Sequence, residues 1–221
     1  MSYSSKLEAH NAELRECIEL AETLPEAGEG GGSGSNEVLT ALLKRTITEF
    51  SDTTIEEIGS YAFYYCDVLT SVHLPSVTTM GGYAFGGCAI LPEVNFPRIK
   101  KIDTNTFRGC QGLQKADFGA VTNIATNAFY NCNKLTALII RTPTVAYVSS
   151  TSTVFQGTPI VNGTGYIYVP SALIEQYKVQ TNWTAYATQF RAIEDYPEIC
   201  GDSDEGGGGS SGGGSGGGAD D

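Results

Sequence analysis

Apolar positions recur along the middle of the chain with a fixed period. Phe63, Phe85, Phe107 and Phe129 are 22 residues apart, as are Cys66, Cys88, Cys110 and Cys132, and Leu69, Leu91, Leu113 and Leu135. Each Leu opens a Leu-x-x-φ-x-φ phrase that ends on Val72 and Leu74, Val94 and Phe96, Ala116 and Phe118, or Leu138 and Ile140. The last two apolar positions alternate with an outward one, the period of a short strand with one face buried. Pro75 and Pro97 follow two of these strands and stop them, since proline cannot donate to a ladder. Val77, Ile99 and Val121, then Met80, Ile102 and Ile124, return the chain beneath the core. A strict period in this range predicts a stack of supersecondary units, with like residues over like about 4.8 Å apart. The expected core is a set of columns of Phe, Leu, Ile and Cys.

The pattern also marks the ends. Thr46–Thr54 aligns one period before the first clear unit and reads as a degenerate rung, with Asp52 in the slot of Leu74. Phe155 follows Phe129 by 26 residues, so residues 141–154 carry an insertion. Gly163–Pro170 resumes a strand with Ile167 and Val169 inward. Ser171–Tyr177 and Trp183–Ile193 read as two short helices that cap the C-terminal end, within 171–196. Asn36 is placed to cap a short helix from Glu37 to about Arg45, expected to cover the first rung, because an end rung otherwise exposes its apolar face.

Within residues 1–27, the stretch 3–24 reads as an amphipathic helix with a heptad seam. Leu7, Leu14 and Ala21 take d positions, and Asn11 and Ile18 take a positions. Two readings stay open: a coiled coil that oligomerises the chain, or a lone helix that packs on something else. Residues 28–35 form a Gly/Ser linker. Residues 201–221 are acidic and Gly/Ser-rich and are expected to stay outside the fold as a disordered tail.

Charge narrows the function classes. The net charge is −12, but residues 1–35 hold seven acidic and two basic side chains, and residues 201–221 hold five acidic and no basic ones. The 36–200 domain is therefore near neutral, which disfavours nucleic-acid binding. No apolar run resembles a secretory signal or a membrane span, so the expected location is cytoplasmic or virion-associated ahead of the cell surface.

Candidate chemistry is sparse. The cysteine column faces one way, and small thiols fill a core well, so reduced structural cysteines are expected, with no metal and no cofactor. Gly81-Gly82 and Gly86-Gly87 lack the Lys-Ser/Thr of a phosphate loop and read as turn residues. The only histidines, His10 and His73, lie on different elements, and no catalytic constellation is visible. The chain therefore reads as a binding protein, not an enzyme. The outward strand slots vary while the core columns repeat: Ser71 and His73, Glu93 and Asn95, Lys115 and Asp117, Ala137 and Ile139, Tyr166 and Tyr168. Together they predict a sheet surface that is polar at one end and apolar-aromatic at the other, with Ile139, Tyr166 and Tyr168 as exposed anchors. The alternative is that these three are covered by the C-terminal cap or the insertion. A basic turn, Arg98, Lys100 and Lys101 with Arg108, is a second candidate surface.

The phrase carried by Ile58-Gly59, Ala62-Phe63, Cys66, Leu69, Val72 and Leu74-Pro75 resembles the BspA-like leucine-rich repeat. The ending Gly165–Pro170, followed by Tyr177 and Asn182-Trp183, is similar to the way such arrays finish, so the resemblance spans residues 46–196. It implies an α/β solenoid of about five to six rungs with short parallel strands and helical caps. Val77, Ile99 and Val121 occupy the slot where better-known repeats place Asn or Cys, so no asparagine ladder is expected. The resemblance further implies a non-catalytic recognition or adhesion module for a protein or glycan. A helix, a linker and a compact binding domain fit a phage or prophage accessory virion protein. The alternative is a bacterial cell-surface adhesin whose export signal lies outside this chain.

Overall fold

The computed structural model describes residues 46–149 and 153–201. The heptad seam of Leu7, Asn11, Leu14, Ile18 and Ala21, the linker, the 36–45 helix and the tail beyond Gly201 lie outside the described residues.

Among the described residues, twelve short strands fall into two stacked columns. β1 (Glu49–Ser51), β3 (Ser71–His73), β5 (Glu93–Phe96), β7 (Lys115–Phe118), β9 (Ala137–Ile140), β11 (Tyr166–Val169) and β12 (Phe190–Ala192) form the first. β2 (Glu57–Ile58), β4 (Thr79–Met80), β6 (Lys101–Ile102), β8 (Asn123–Ile124) and β10 (Tyr147–Val148) form the second. Every pairing is parallel, with Glu93 beside Lys115, Lys115 beside Ala137, and Ala137 beside Tyr166. This is a solenoid of about six turns. Its third edge is also laddered. The Phe63 N–H donates to the Ala84 carbonyl, Phe85 to Thr106, and Phe107 to Ala128, at 2.7, 2.9 and 2.9 Å.

The first column is not continuous. β1 pairs with β3, and β5 begins a separate five-stranded sheet. Just before the strand, Thr70, Gln114 and Thr136 each donate their N–H to the preceding rung. The equivalent residue at the head of β5 is Pro92, which has no N–H. The break between β3 and β5 falls where that donor is missing.

The predicted columns are the core. Phe63, Phe85, Phe107, Phe129 and Phe155 form one near-parallel ring stack, with successive centroids 4.9, 5.5, 5.5 and 5.8 Å apart. The thiols of Cys88, Cys110 and Cys132 donate to the carbonyls of Phe63, Phe85 and Phe107 at 3.1, 3.0 and 3.0 Å. Protonated thiols suit this role. The hydrogen bond with Cys110 and burial push the Cys88 thiol well up, and burial does the same to Cys110. No disulfide joins the column.

The C-terminal end differs from the two predicted helices. A 3-10 turn at Ser171–Leu173 runs into a helix at Ile174–Val179. The stretch predicted as a helix from Trp183 instead makes one 3-10 turn, Thr184–Tyr186, and then strand β12, which pairs with β11. Phe190 and Ala192 are buried on either side of half-exposed Arg191, a period of two that suits a strand. Trp183 closes the ring stack 5.9 Å from Phe155, and its indole N–H donates to the Ala146 carbonyl at 2.6 Å. The Tyr177 hydroxyl accepts from the Ala146 N–H at 2.9 Å. A further 3-10 turn, Ile193–Asp195, and a short helix, Pro197–Cys200, complete the described chain.

Candidate functional site

Alternation along the first-column strands sends Ser71, His73, Glu93, Asn95, Lys115, Asp117, Ala137, Ile139, Tyr166 and Tyr168 to the outward side of the sheet, as expected. The structure divides these ten into two sets.

Ala137, Ile139 and Tyr168 are buried, Ile139 completely. They form a second small core with Ile193 and Cys200, and Tyr166, Tyr196 and Ile199 pack against it. The Tyr168 and Tyr196 rings meet edge to face at 5.4 Å. The Arg191 guanidinium lies over the half-buried Tyr166 ring, 4.2 Å from its centroid. Of the two readings, exposed anchors at Ile139, Tyr166 and Tyr168 are corrected and cover by the C-terminal segment holds: the chain returns across this end of the sheet because its outward face is too apolar to leave in water. Burial pushes the Tyr168 phenol up to about 12 and the Cys200 thiol up to about 11.

Arg141 fastens that returning segment. Its Nε donates to Asp117 Oδ1 at 2.9 Å and its Nη2 to Asp117 Oδ2 at 2.8 Å, a two-pronged pair. The same Nη2 also donates to the Cys200 carbonyl. Hydrogen bonding to Asp117 holds Arg141 above its ordinary pKa, against the opposing effect of burial. Asp117 is thus committed within the fold, although it borders the open part of the sheet.

The other set, apart from buried Asp117, stays open. Ser71, His73, Glu93, Asn95, Lys115 and Asp117 line a shallow groove of about 500 Å³ where the ladder breaks at Pro92. His73, Glu93 and Asn95 are exposed, and Ser71 and Lys115 are half-buried. The groove offers a cation, a carboxylate, an imidazole and an amide within one short stretch of sheet. Among the described residues no cluster of three or more His, Cys, Asp or Glu is placed to hold a metal. No described helix is long and apolar enough to cross a membrane.

The basic turn is not brought into this groove. Lys101 lies on β6 in the second column and pairs with Asp103 at 3.3 Å. Arg108 sits on the laddered third edge, over the Tyr130 ring at 4.7 Å from its centroid. That edge carries a feature that the repeat pattern alone did not single out, a ridge of Tyr61, Tyr64, Tyr65 and Tyr83. Tyr61 and Tyr65 are 51% and 60% exposed. The Tyr65 hydroxyl beside it, with burial, pushes the Tyr64 phenol above its ordinary value.

The family model described as the BspA type leucine-rich repeat region matches residues 44–163, in six copies. No curated protein matches the chain. The match covers the rungs whose Phe and Cys columns build the solenoid and whose outward slots line the groove, and the chain belongs to the BspA type leucine-rich repeat family.

Proposed function

We propose that this chain is a recognition or adhesion module that engages a protein or glycan through the open half of its repeat sheet, and that it serves as an accessory protein of a phage or prophage particle. Leucine-rich repeat domains are generally protein-binding modules, and a solenoid of this kind is typically non-catalytic. The observation that carries the proposal is the groove at the ladder break, where Ser71, His73, Glu93, Asn95 and Lys115 stand outward on consecutive strands. These slots differ from rung to rung over a core that barely changes. Such a surface can be varied for a partner without disturbing the fold.

The test uses the full chain, fluorescently labelled, against intact bacterial cells and an immobilised glycan panel. The comparison is with a His73→Ala/Glu93→Ala/Asn95→Ala variant. Exposed substitutions of this kind change stability little, so the melting temperature is expected to hold. Binding is expected to fall by about tenfold or more, the effect of truncating a few central contacts. Undiminished binding by the triple variant would reject this face. Mass spectrometry of purified particles checks the virion assignment, which fails if the chain is absent from them.

A further inference from the structure

The tyrosine ridge occupies positions where the fold asks for something else. Tyr61 and Tyr83 have positive φ values of 64° and 57°, and the equivalent residues in the next rungs are Asn105 and Asn127. Tyr65 has φ of 57°, and its equivalents are Gly87, Gly109, Asn131 and Gly157. The left-handed region suits Gly and Asn and is an outlier for a bulky side chain. Where later rungs use the residues this turn prefers, the first rung uses tyrosine at both positions and the second at one. The neighbouring rung makes room for them: a Cβ on Gly87 would lie 2.7 Å from the Tyr65 ring, and one on Gly86 would lie 3.0 Å from the Tyr64 ring. The rings are also ordered against one another. Tyr61 and Tyr83 stack at 5.1 Å with planes 8° apart, and Tyr64 meets Tyr61 and Tyr65 edge to face at 5.3 and 4.3 Å.

Two observations say what would cover such a ridge. First, the segment that carries it is acidic. Residues 46–97 contain six carboxylates and no Lys or Arg, whereas residues 98–141 contain seven basic side chains and two acidic ones. Glu56, Glu57 and Asp67, on either side of the ridge in the chain, are exposed. Second, the repeat already shows the contact. Arg108 covers Tyr130, and both belong to the 22-residue column that begins at Tyr64. The residue that follows Tyr64 in that column is Gly86, which has no side chain to cover the ring.

We propose that the Tyr61–Tyr64–Tyr65–Tyr83 ridge is a docking site for an arginine-bearing segment of a partner protein. A guanidinium is planar and weakly hydrated, stacks on an aromatic face and is drawn by surrounding carboxylates. A neutral sugar would use the rings but not the charge. The ridge lies between the short second-column strands and the next long strand, away from the sheet groove, and does not depend on the groove being a binding face.

The test is calorimetric titration of the full chain at physiological ionic strength with three probes: a short alternating Gly-Arg peptide, the same peptide with citrulline for arginine, and a neutral cello-oligosaccharide. The key variant is Tyr61→Asn/Tyr65→Gly, which installs the residues the later rungs carry and removes no charge. Its melting temperature is expected to be unchanged or raised. Affinity for the Gly-Arg peptide is expected to fall about tenfold in this variant, and the citrulline peptide to bind the wild type comparably poorly. The proposal is overturned if the Gly-Arg peptide does not bind, if the folded variant binds it as well as wild type, if citrulline substitutes for arginine, or if the oligosaccharide is the probe whose binding the variant loses.

Discussion

Phe107→Ala is expected to destabilise the domain by about 3–5 kcal/mol, the range for removing a large aromatic from a packed core. Phe107 is fully buried. It stacks between Phe85 and Phe129 at 5.5 Å on each side, and it touches Phe96 and Phe118 from the next column at 6.4 and 6.1 Å. The hole would be lined by rings held in register by the backbone ladders, so it has little freedom to collapse. The melting temperature is expected to fall by roughly 10 °C. A second effect follows from the architecture. Each rung of a solenoid contacts mainly its neighbours, so a defect in the middle weakens the coupling between two halves. Trp183, the only tryptophan, sits at the C-terminal end and reports that half. Its fluorescence midpoint is expected to separate from the circular-dichroism midpoint in Phe107→Ala and to coincide with it in wild type. Phe63→Ala, near the other end of the stack, is expected to cost less. Coincident midpoints and equal costs for the two variants would contradict this picture.

Arg141→Ala is expected to release the segment that covers the apolar end of the sheet. The substitution leaves the Asp117 carboxylate, only 7% exposed, without its cation and leaves the Cys200 carbonyl without this donor. Because Arg141 is itself 27% exposed, the full penalty for breaking a buried pair is discounted, and the expected loss is about 2–3 kcal/mol. The readout is the alkylation rate of Cys200, followed by peptide mapping. In wild type, burial holds this thiol near 11, so little thiolate exists at neutral pH. Freed from its cover, the thiol returns toward its ordinary range and is expected to react at least about tenfold faster. Arg141→Lys keeps the charge but loses the two-pronged geometry and is expected to fall between wild type and alanine. An unchanged alkylation rate in Arg141→Ala would show that the apolar contacts of Ile193, Tyr196 and Ile199 hold the segment alone.

These two sites differ in how they were written in the chain. The Phe, Leu and Cys columns were legible because a stack of rungs places like residues over like, so each core contact repeats as a sequence interval. The cover over Ile139 and Tyr168 was not, because alternation states which side of a strand a residue takes and nothing about what lies beyond it. A signal was nevertheless present: Ala137-Leu138-Ile139-Ile140 is continuously apolar, the mark of a strand buried on both faces. Phe190-Arg191-Ala192 likewise alternates and makes a strand where a helix was expected. The groove lies where a single proline, Pro92, takes a slot in which other rungs carry a donor. The ridge depends on tyrosines that break the Asn/Gly habit of their own columns. In both places function is inferred where the repeat departs from itself; the 22-residue period shows the departures, and the structure shows that one lines a groove and the other forms an exposed ridge.

The central claim is that the sheet is half covered, leaving the His73–Glu93–Asn95 end as its open face. Oxidative footprinting of the native full chain, read residue by residue by mass spectrometry, tests this most directly. The account predicts that His73, Tyr61 and Tyr65 are modified at rates near those of the denatured chain, while Tyr168 and Ile139 are strongly protected. Modification of Tyr168 as fast as Tyr65, or protection of His73, would contradict it.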